Sequence, residues 1–188
     1  MKKNFVFTLF LIISATSFSQ KTFFSMGPEL ALPASYSQSD NDRGTGFGGS
    51  FRVESSWGKH VSGMATIGFL KFALAHPYYN SPSFTKQINA TIIQVGLKYY
   101  TQDRKERSNG FFISAELGSM PATNHITYTN GLKQNIKETG LSVAPGLGYL
   151  LKNIEFGFRL QYNLSETGYH VYYYDFKLAY AFLKKKSR

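Results

Sequence analysis

The residues with the most chemistry to offer are charged ones that stand inside apolar-rich segments and keep to one phase of a two-residue repeat. Successive side chains of a β-strand point to opposite faces, so each segment would gather its charges on one face. Buried charges are costly unless opposite charges and hydrogen bonds satisfy them. The chemistry predicted is mutual ion pairing in an interior, by Glu29, Arg52, Glu54, Lys98, Glu116, Glu155, Arg159, Asp175 and Lys177.

The sequence shows no residue pattern typical of a catalytic or metal-binding site. The four histidines (His60, His76, His125 and His170) fall in predicted turns or loops. None stands in a nucleophile-elbow or metal-ligand spacing. We therefore predict no catalytic residue, no metal site and no cofactor.

The elements that must position the charges are β-strands. Between Phe47 and Trp57, for example, apolar side chains occupy one phase, and serine and charged side chains occupy the other. Eight segments follow this pattern, at 22–32, 46–57, 61–72, 88–100, 111–119, 139–150, 153–163 and 172–183. Most are close to the roughly 9–11 residues with which a tilted strand crosses a bilayer. Strand 61–72 fits least well, because Met64, Leu70 and Phe72 share the charged phase and Lys71 falls on the apolar one.

The connections between these segments alternate in length. Short links at 58–60 and 151–153 and a polar turn at 101–110 alternate with links at 33–45, 73–87, 120–138 and 164–171, most of which are longer. An even number of strands puts both termini on one side, and short periplasmic turns with long external loops are typical of outer-membrane barrels. We therefore expect both termini in the periplasm.

The N-terminus has the layout of an export signal. Positive charge at Met1–Asn4 precedes an apolar run from Phe5 to Ile13, and small residues lead to Ser19. This predicts a signal peptide over 1–19, cleaved before Gln20, and a single barrel domain over 20–188. The chain has no cysteine, which excludes a lipid-anchored lipoprotein and a disulfide framework.

Aromatic residues cluster near the predicted strand ends. Amphipathic rings favour the two membrane–water interfaces, where they form girdles. The girdle predicted here contains Trp57, Tyr99, Tyr149, Tyr162, Tyr172, Tyr174, Tyr180 and Phe182. Pro28 and Pro145 lie inside predicted strands, where each removes a ladder hydrogen bond and requires a bulge or a strand end.

Charge outside the strands is unevenly placed. Loss of Lys2 and Lys3 with the signal lowers the formal charge from +10 to +8. The four links on the predicted external side sum to zero, so positive charge would gather on the periplasmic rim, much of it in the tail 184–188. That rim could contact phospholipid phosphates or an anionic cell wall. Export and the lack of any other dense basic stretch argue against nucleic-acid binding.

The chain resembles the small outer-membrane β-barrel domain family of OmpA/OmpX type, in particular its members that consist of a signal and a barrel only. The resemblance rests on the signal, the eight alternating segments and the aromatic-rich last strand from Tyr172 to Phe182. Two short segments, 27–30 and 145–149, also look like sequences that this family uses. It implies an all-β, eight-stranded antiparallel up-and-down transmembrane β-barrel. The tail from Leu183 to Arg188 departs from the family's usual aromatic terminus.

The function predicted is that of an integral outer-membrane protein with a structural or interaction role in the cell envelope. An eight-stranded barrel is only wide enough for its own side chains, so salt bridges would plug the interior. The partners expected are outer-membrane lipids, with periplasmic cell-wall or envelope-assembly contacts. Two alternatives stay open: a narrow ion or solute channel, and a soluble periplasmic lipocalin-like barrel that binds a small apolar ligand.

Overall fold

A computed structural model of the protein describes residues 21–33, 44–72, 84–102, 109–165 and 170–183. No helix in these ranges is long and apolar enough to cross a membrane. Their ten β-strands are β1 (Lys21–Pro33), β2 (Gly46–Ser56), β3 (Val61–Phe72), β4 (Phe84–Tyr100), β5 (Gly110–Ser119), β6 (Ala122–Tyr128), β7 (Lys133–Glu138), β8 (Gly140–Leu151), β9 (Ile154–Ser165) and β10 (His170–Leu183).

Eight of these strands close into a barrel. The order around the wall is β1, β2, β3, β4, β5, β8, β9 and β10, and every neighbouring pair is antiparallel. The wall closes where β1 pairs with β10, with Phe24 opposite Phe182 and Leu30 opposite Phe176. The predicted fold class, an all-β antiparallel barrel of eight strands, is confirmed.

The predicted strand bounds agree with the structure within two residues, except that β4 begins at Phe84 rather than at 88. The predicted link 120–138 is wrong as a loop, because it contains the β6–β7 hairpin. Its Thr, Asn, Gln and Lys residues lack an apolar phase, and pairing of β6 with the extended β4 makes it a sheet. His125 therefore lies in β6, and His170 is the first residue of β10, so the predicted loop position is wrong for both. The predicted signal peptide and the tail 184–188 lie outside the described residues.

The barrel interior is layered rather than uniformly polar. At the end opposite the termini, an apolar layer contains Ala31, Leu70, Phe72, Ile88, Ala90, Ile92, Met120, Ala122 and Tyr173. At the other end lies a smaller cluster of Tyr100, Phe112 and Leu150. The charged residues occupy the section between these two layers. This explains Leu70 and Phe72 on the inner phase of β3, because both belong to the first apolar layer; Met64, on the same phase, is buried outside the two layers.

Glycines on the inner phase let neighbouring strands approach closely. A Cβ added to Gly118 would lie 2.0 Å from the carbonyl oxygen of Ile93, on the paired strand β4. A Cβ added to Gly48 would lie 1.8 Å from the carbonyl oxygen of Phe69 on β3. Because both obstacles are backbone atoms, any side chain at these positions would push two strands apart.

Pro28 faces outward and interrupts one ladder without shifting it. Pairing between β1 and β10 stops after Met26–Tyr180 and resumes at Glu29–Lys177 in the same register. On its other side Pro28 stays in register opposite Gly49. Pro145 repeats this arrangement, since β8 and β9 pair on both sides of it in one register, at Val143–Tyr162 and at Gly146–Arg159. The predicted need for a bulge or strand end is wrong, because each proline leaves a local gap in one ladder only.

Gly118→Ala is expected to destabilise the barrel by about 1–3 kcal/mol, because the added methyl group overpacks two strands. The matched control is Gly58→Ala, where an added Cβ would meet nothing within 4 Å. Urea unfolding of both variants, refolded in detergent, measures the difference. Equal stabilities would show that the close approach at Gly118 is not needed for closure.

Candidate functional site

The nine predicted interior charges lie together in the bore of the barrel. Each is at most 4% exposed, although they come from six different strands. Their contacts form one continuous ion-pair network, which we call the interior network. It contains Glu29, Arg52, Glu54, Lys98, Glu116, Glu155, Arg159, Asp175 and Lys177.

Arg52 on β2 is the centre of the network. Its guanidinium donates to Glu155 Oε1 at 2.7 Å and to Glu116 Oε1 at 2.9 Å. Its Nε donates to Thr66 Oγ1 at 3.1 Å, and Thr66 in turn donates to Glu116 Oε2 at 2.7 Å. One arginine therefore links β2, β3, β5 and β9 across the bore.

Lys98 extends the network toward the end that carries the termini. Its Nζ lies 2.7 Å from Glu155 Oε2 and 3.5 Å from Glu54 Oε2. Tyr100 donates its hydroxyl proton to Glu54, at 2.7 Å from Oε1. The ammonium group also lies 3.9 Å from the ring centroid of Phe112, a distance suited to a cation–π contact. The aromatic layer at this end thus contributes to charge stabilisation.

Arg159 holds the opposite side of the network. It contacts Glu29 at 3.0 Å and Glu116 at 3.1 Å, and it also donates to Asp175. Ser50 donates to Glu29 at 2.5 Å. Lys177 lies 3.9 Å from Glu29, beyond hydrogen-bond distance. Arg159 is therefore the cation that holds the three acids of β1, β5 and β10 together.

Two polar residues of the site, Thr66 and Tyr100, were not predicted, and both complete hydrogen bonds of the interior network. Gln94 and Gln161, which the two-residue repeat predicts to face inward, both donate to Ser142 in a layer beside the network. All lie on the inner phase of their strands and are buried. The inner phase was the available signal for Thr66 and Tyr100, but a threonine and a tyrosine do not stand out on it as charged residues do. The partners were not predictable either, since Arg159 and Glu29 are 130 positions apart.

The interior network leaves little empty space. The cavity found among Arg52, Glu155, Arg159 and Lys177 measures about 10 Å³. That is about the room of one water molecule. No group of three or more His, Cys, Asp or Glu residues in the described ranges is arranged to hold a metal ion. The chemistry of this arrangement is mutual charge neutralisation.

The outer wall has the opposite character, since large apolar side chains are exposed on every barrel strand. Among the predicted girdle residues, Trp57, Tyr99, Tyr180 and Phe182 lie exposed toward the end with the short turns, and Tyr149 is half-buried there. Toward the other end, Tyr162 and Tyr172 stack with ring centroids 4.4 Å apart, and Tyr174 is exposed. The rings thus lie in two groups near the two ends of the wall.

The chain matches the model of the family described as "Outer membrane protein beta-barrel domain" over residues 5–182. No curated protein matches it. Among solved structures it is similar to Ail, the attachment invasion locus protein of Yersinia pestis, with a TM-score of 0.59 at 11% identity over 86% of this chain and 98% of Ail. It is also similar to Neisserial surface protein A, with a TM-score of 0.50 at 14% identity over 85% and 95% of the two chains. The N-terminal β-barrel domain of OprF from Pseudomonas aeruginosa has a TM-score of 0.50 at 14% identity, over 87% and 99%. At these identities the solved structures show a shared fold.

Arg159→Met is expected to cost about 3–5 kcal/mol of unfolding free energy, because it leaves buried acids without their cation. Lys177→Met serves as the matched control. It removes the same charge, but the ammonium group of Lys177 donates no hydrogen bond that would be lost. The control should lose clearly less stability in urea unfolding of the detergent-refolded proteins. Equal losses would mean that net interior charge, rather than specific pairing, sets the stability.

Proposed function

The chain belongs to the outer membrane protein β-barrel domain family, and from this premise we propose that it is a plugged barrel with a structural or interaction role in the cell envelope. The observation that carries the proposal is the interior network, which joins side chains of six strands across the bore. A bore filled by its own ion pairs supplies rigidity and has no lining left for a solute.

The channel alternative is disfavoured by the contents of the bore. A conducting pore needs continuous room for water and ions, whereas the cavity at the interior network measures about 10 Å³. Two buried layers, around Leu70 and around Phe112, lie beyond the network on either side. Opening such a path would require breaking buried ion pairs as well as moving these layers.

The soluble-carrier alternative is disfavoured by the distribution of residues between the two faces. A soluble barrel buries its apolar phase and exposes its polar one. Here Phe47 is 65% exposed and Ile113 is 62% exposed, whereas Arg52 is 2% exposed. Apolar side chains outside and charges inside are typical of a wall that faces lipid.

The histidines for which contacts are described support a role without catalysis. His60 Nδ1 lies 3.0 Å from the backbone oxygen of Tyr100, and His125 Nδ1 lies 2.8 Å from Asn135 Oδ1. These contacts join neighbouring strands or turns and place neither histidine against a nucleophile. We assign both a local structural role.

We further propose that both termini lie in the periplasm. Lys21 and Leu183 stand at the same end of the wall as the short turns, and the β6–β7 hairpin lies at the other end. Exposed Lys59 and Lys152 belong to the turns of the terminal end. Together with the tail 184–188, they would supply positive charge for contacts with phospholipid or the cell wall. The aromatic groups at the two ends of the wall would then mark the two interfaces.

The mature chain (20–188), refolded in detergent, should run faster on a gel without boiling than after boiling in SDS, as closed barrels do. In planar bilayers the same preparation should give no stepwise conductance, because the interior network closes the bore. Steady conductance steps would contradict the plug and favour the narrow channel. Identical bands from a chain that stays soluble without detergent would contradict the membrane barrel itself.

Orientation can be tested by cysteine labelling, because the natural chain has no cysteine. Asn130→Cys places a thiol at the tip of the β6–β7 hairpin, and Lys152→Cys places one in the turn between β8 and β9. A membrane-impermeant maleimide should label the hairpin cysteine in intact cells and the turn cysteine only after permeabilisation. The reverse pattern would overturn the proposed orientation.

A further inference from the structure

A three-stranded ribbon extends the barrel wall at the end opposite the termini. It consists of residues 84–90 of β4, of β6, which pairs with them, and of β7, which pairs with β6. Its inward face continues the barrel core, since Ile88, Ala90 and Ala122 belong to the apolar layer and Asn124 is buried. This packing fixes which way the ribbon faces. Its other side is therefore a preorganised surface rather than a loosely attached loop.

The opposite face of the ribbon continues the outer face of the wall toward the hairpin end of the barrel. On β4 the exposed residues Ile93, Val95, Leu97 and Tyr99 share a phase with Gln87 and Asn89. The outer surface of this strand thus changes from apolar to polar between Ile93 and Asn89. If the apolar part faces hydrocarbon, the polar part stands beside the lipid headgroups.

Strand register aligns polar and basic residues across this face. One row runs through Lys71, Asn89, Thr123 and Lys137. The next rows contain Gln87, His125 and Asn135, and then Thr127 and Lys133. Lys71, Lys133 and Lys137 are exposed. The headgroup face is defined by these nine residues.

The headgroup face carries positive charge without acidic residues of its own among those the structure describes. Glu138, the acid of β7, lies on the other face of the ribbon, where its carboxylate accepts a hydrogen bond from Asn124 at 3.0 Å. Between the lysines stand amide and hydroxyl groups that can bond sugar hydroxyls. Ammonium groups beside such side chains are complementary to a phosphorylated, sugar-bearing headgroup.

We propose that the headgroup face binds the phosphate groups of a glycolipid in the leaflet next to the hairpin. The proposal deepens the proposed function and rests on its lipid-facing wall. A membrane lipid is favoured over a soluble polyanion because the face is continuous with the apolar wall, so it lies alongside the bilayer surface. The lysines hold the phosphates, and the amide and hydroxyl groups contact the sugars.

The test uses the refolded mature chain in zwitterionic phospholipid vesicles, with a donor dye on Asn130→Cys. A trace of acceptor-labelled, phosphorylated disaccharide lipid is added, and energy transfer reports its enrichment beside the hairpin. Transfer should exceed that of the dephosphorylated lipid. Lys71→Gln, Lys133→Gln and Lys137→Gln together should weaken binding on the order of 100-fold, since each lysine near a charged surface contributes about fivefold.

Two controls accompany the triple variant. Lys59→Gln with Lys152→Gln removes exposed lysines from the opposite end and should leave transfer unchanged, while Lys71→Arg, Lys133→Arg and Lys137→Arg together should retain it. Gel mobility verifies that each variant is folded. Because vesicles carry the lipid in both leaflets, the result does not depend on orientation in the cell, which cysteine labelling tests separately.

Equal transfer from phosphorylated and dephosphorylated lipid would overturn the proposal. Equal loss in the opposite-end variant would overturn it as well, since the effect would then be general charge attraction. Binding of a soluble sulfated polysaccharide through the three lysines, without enrichment of the lipid, would assign the face to a soluble polyanion instead.

Discussion

Pairing of β1 with β10 is the interaction on which the rest of the structure depends. Backbone groups in hydrocarbon have no water to bond, so a sheet that faces lipid must close on itself. Closure with eight strands leaves a bore only as wide as the side chains that fill it. The contents of the interior, the need for glycine where strands crowd, and the tolerance of outward-facing prolines all follow from this geometry. Pro28 and Pro145 each interrupt the pairing with one neighbouring strand over a few residues, and the register is the same on both sides of the gap.

Charges inside the narrow bore are stabilised by pairing rather than by water. Arg52 and Arg159 suit this position because a guanidinium presents several donors in a fixed geometry and remains charged. Each contacts two or three acids from different strands, so the loss of one arginine leaves several buried carboxylates with fewer partners. The network therefore links strands that do not neighbour each other in the wall. Backbone hydrogen bonds join adjacent strands, and the interior network joins strands on opposite sides of the barrel.

The filled bore determines which surfaces of the barrel are free to interact. Because ion pairs and two apolar layers occupy the interior, the outer wall and the two ends of the barrel remain as surfaces for interaction. At the hairpin end, the ribbon carries the outer face past the apolar wall and changes it to amide, hydroxyl and ammonium groups. At the terminal end, exposed lysines stand in the short turns. We propose that envelope components interact with the two rims, whereas the interior network stabilises the barrel.

The sequence by itself determined the eight wall strands, the apolar outer face and the inward placement of the charges. It could do so because alternation along a strand is local and the cost of charge in lipid is large. Tertiary structure decided which charges meet, since Arg159 reaches Glu29 across 130 positions through register and closure. It also decided that residues 122–138 form a hairpin, because their strand pairing depends on the edge that β4 offers rather than on an apolar phase of their own. The inner residues Leu70 and Phe72 made β3 hard to interpret for the same reason, because their place in an apolar layer depends on neighbours from distant strands.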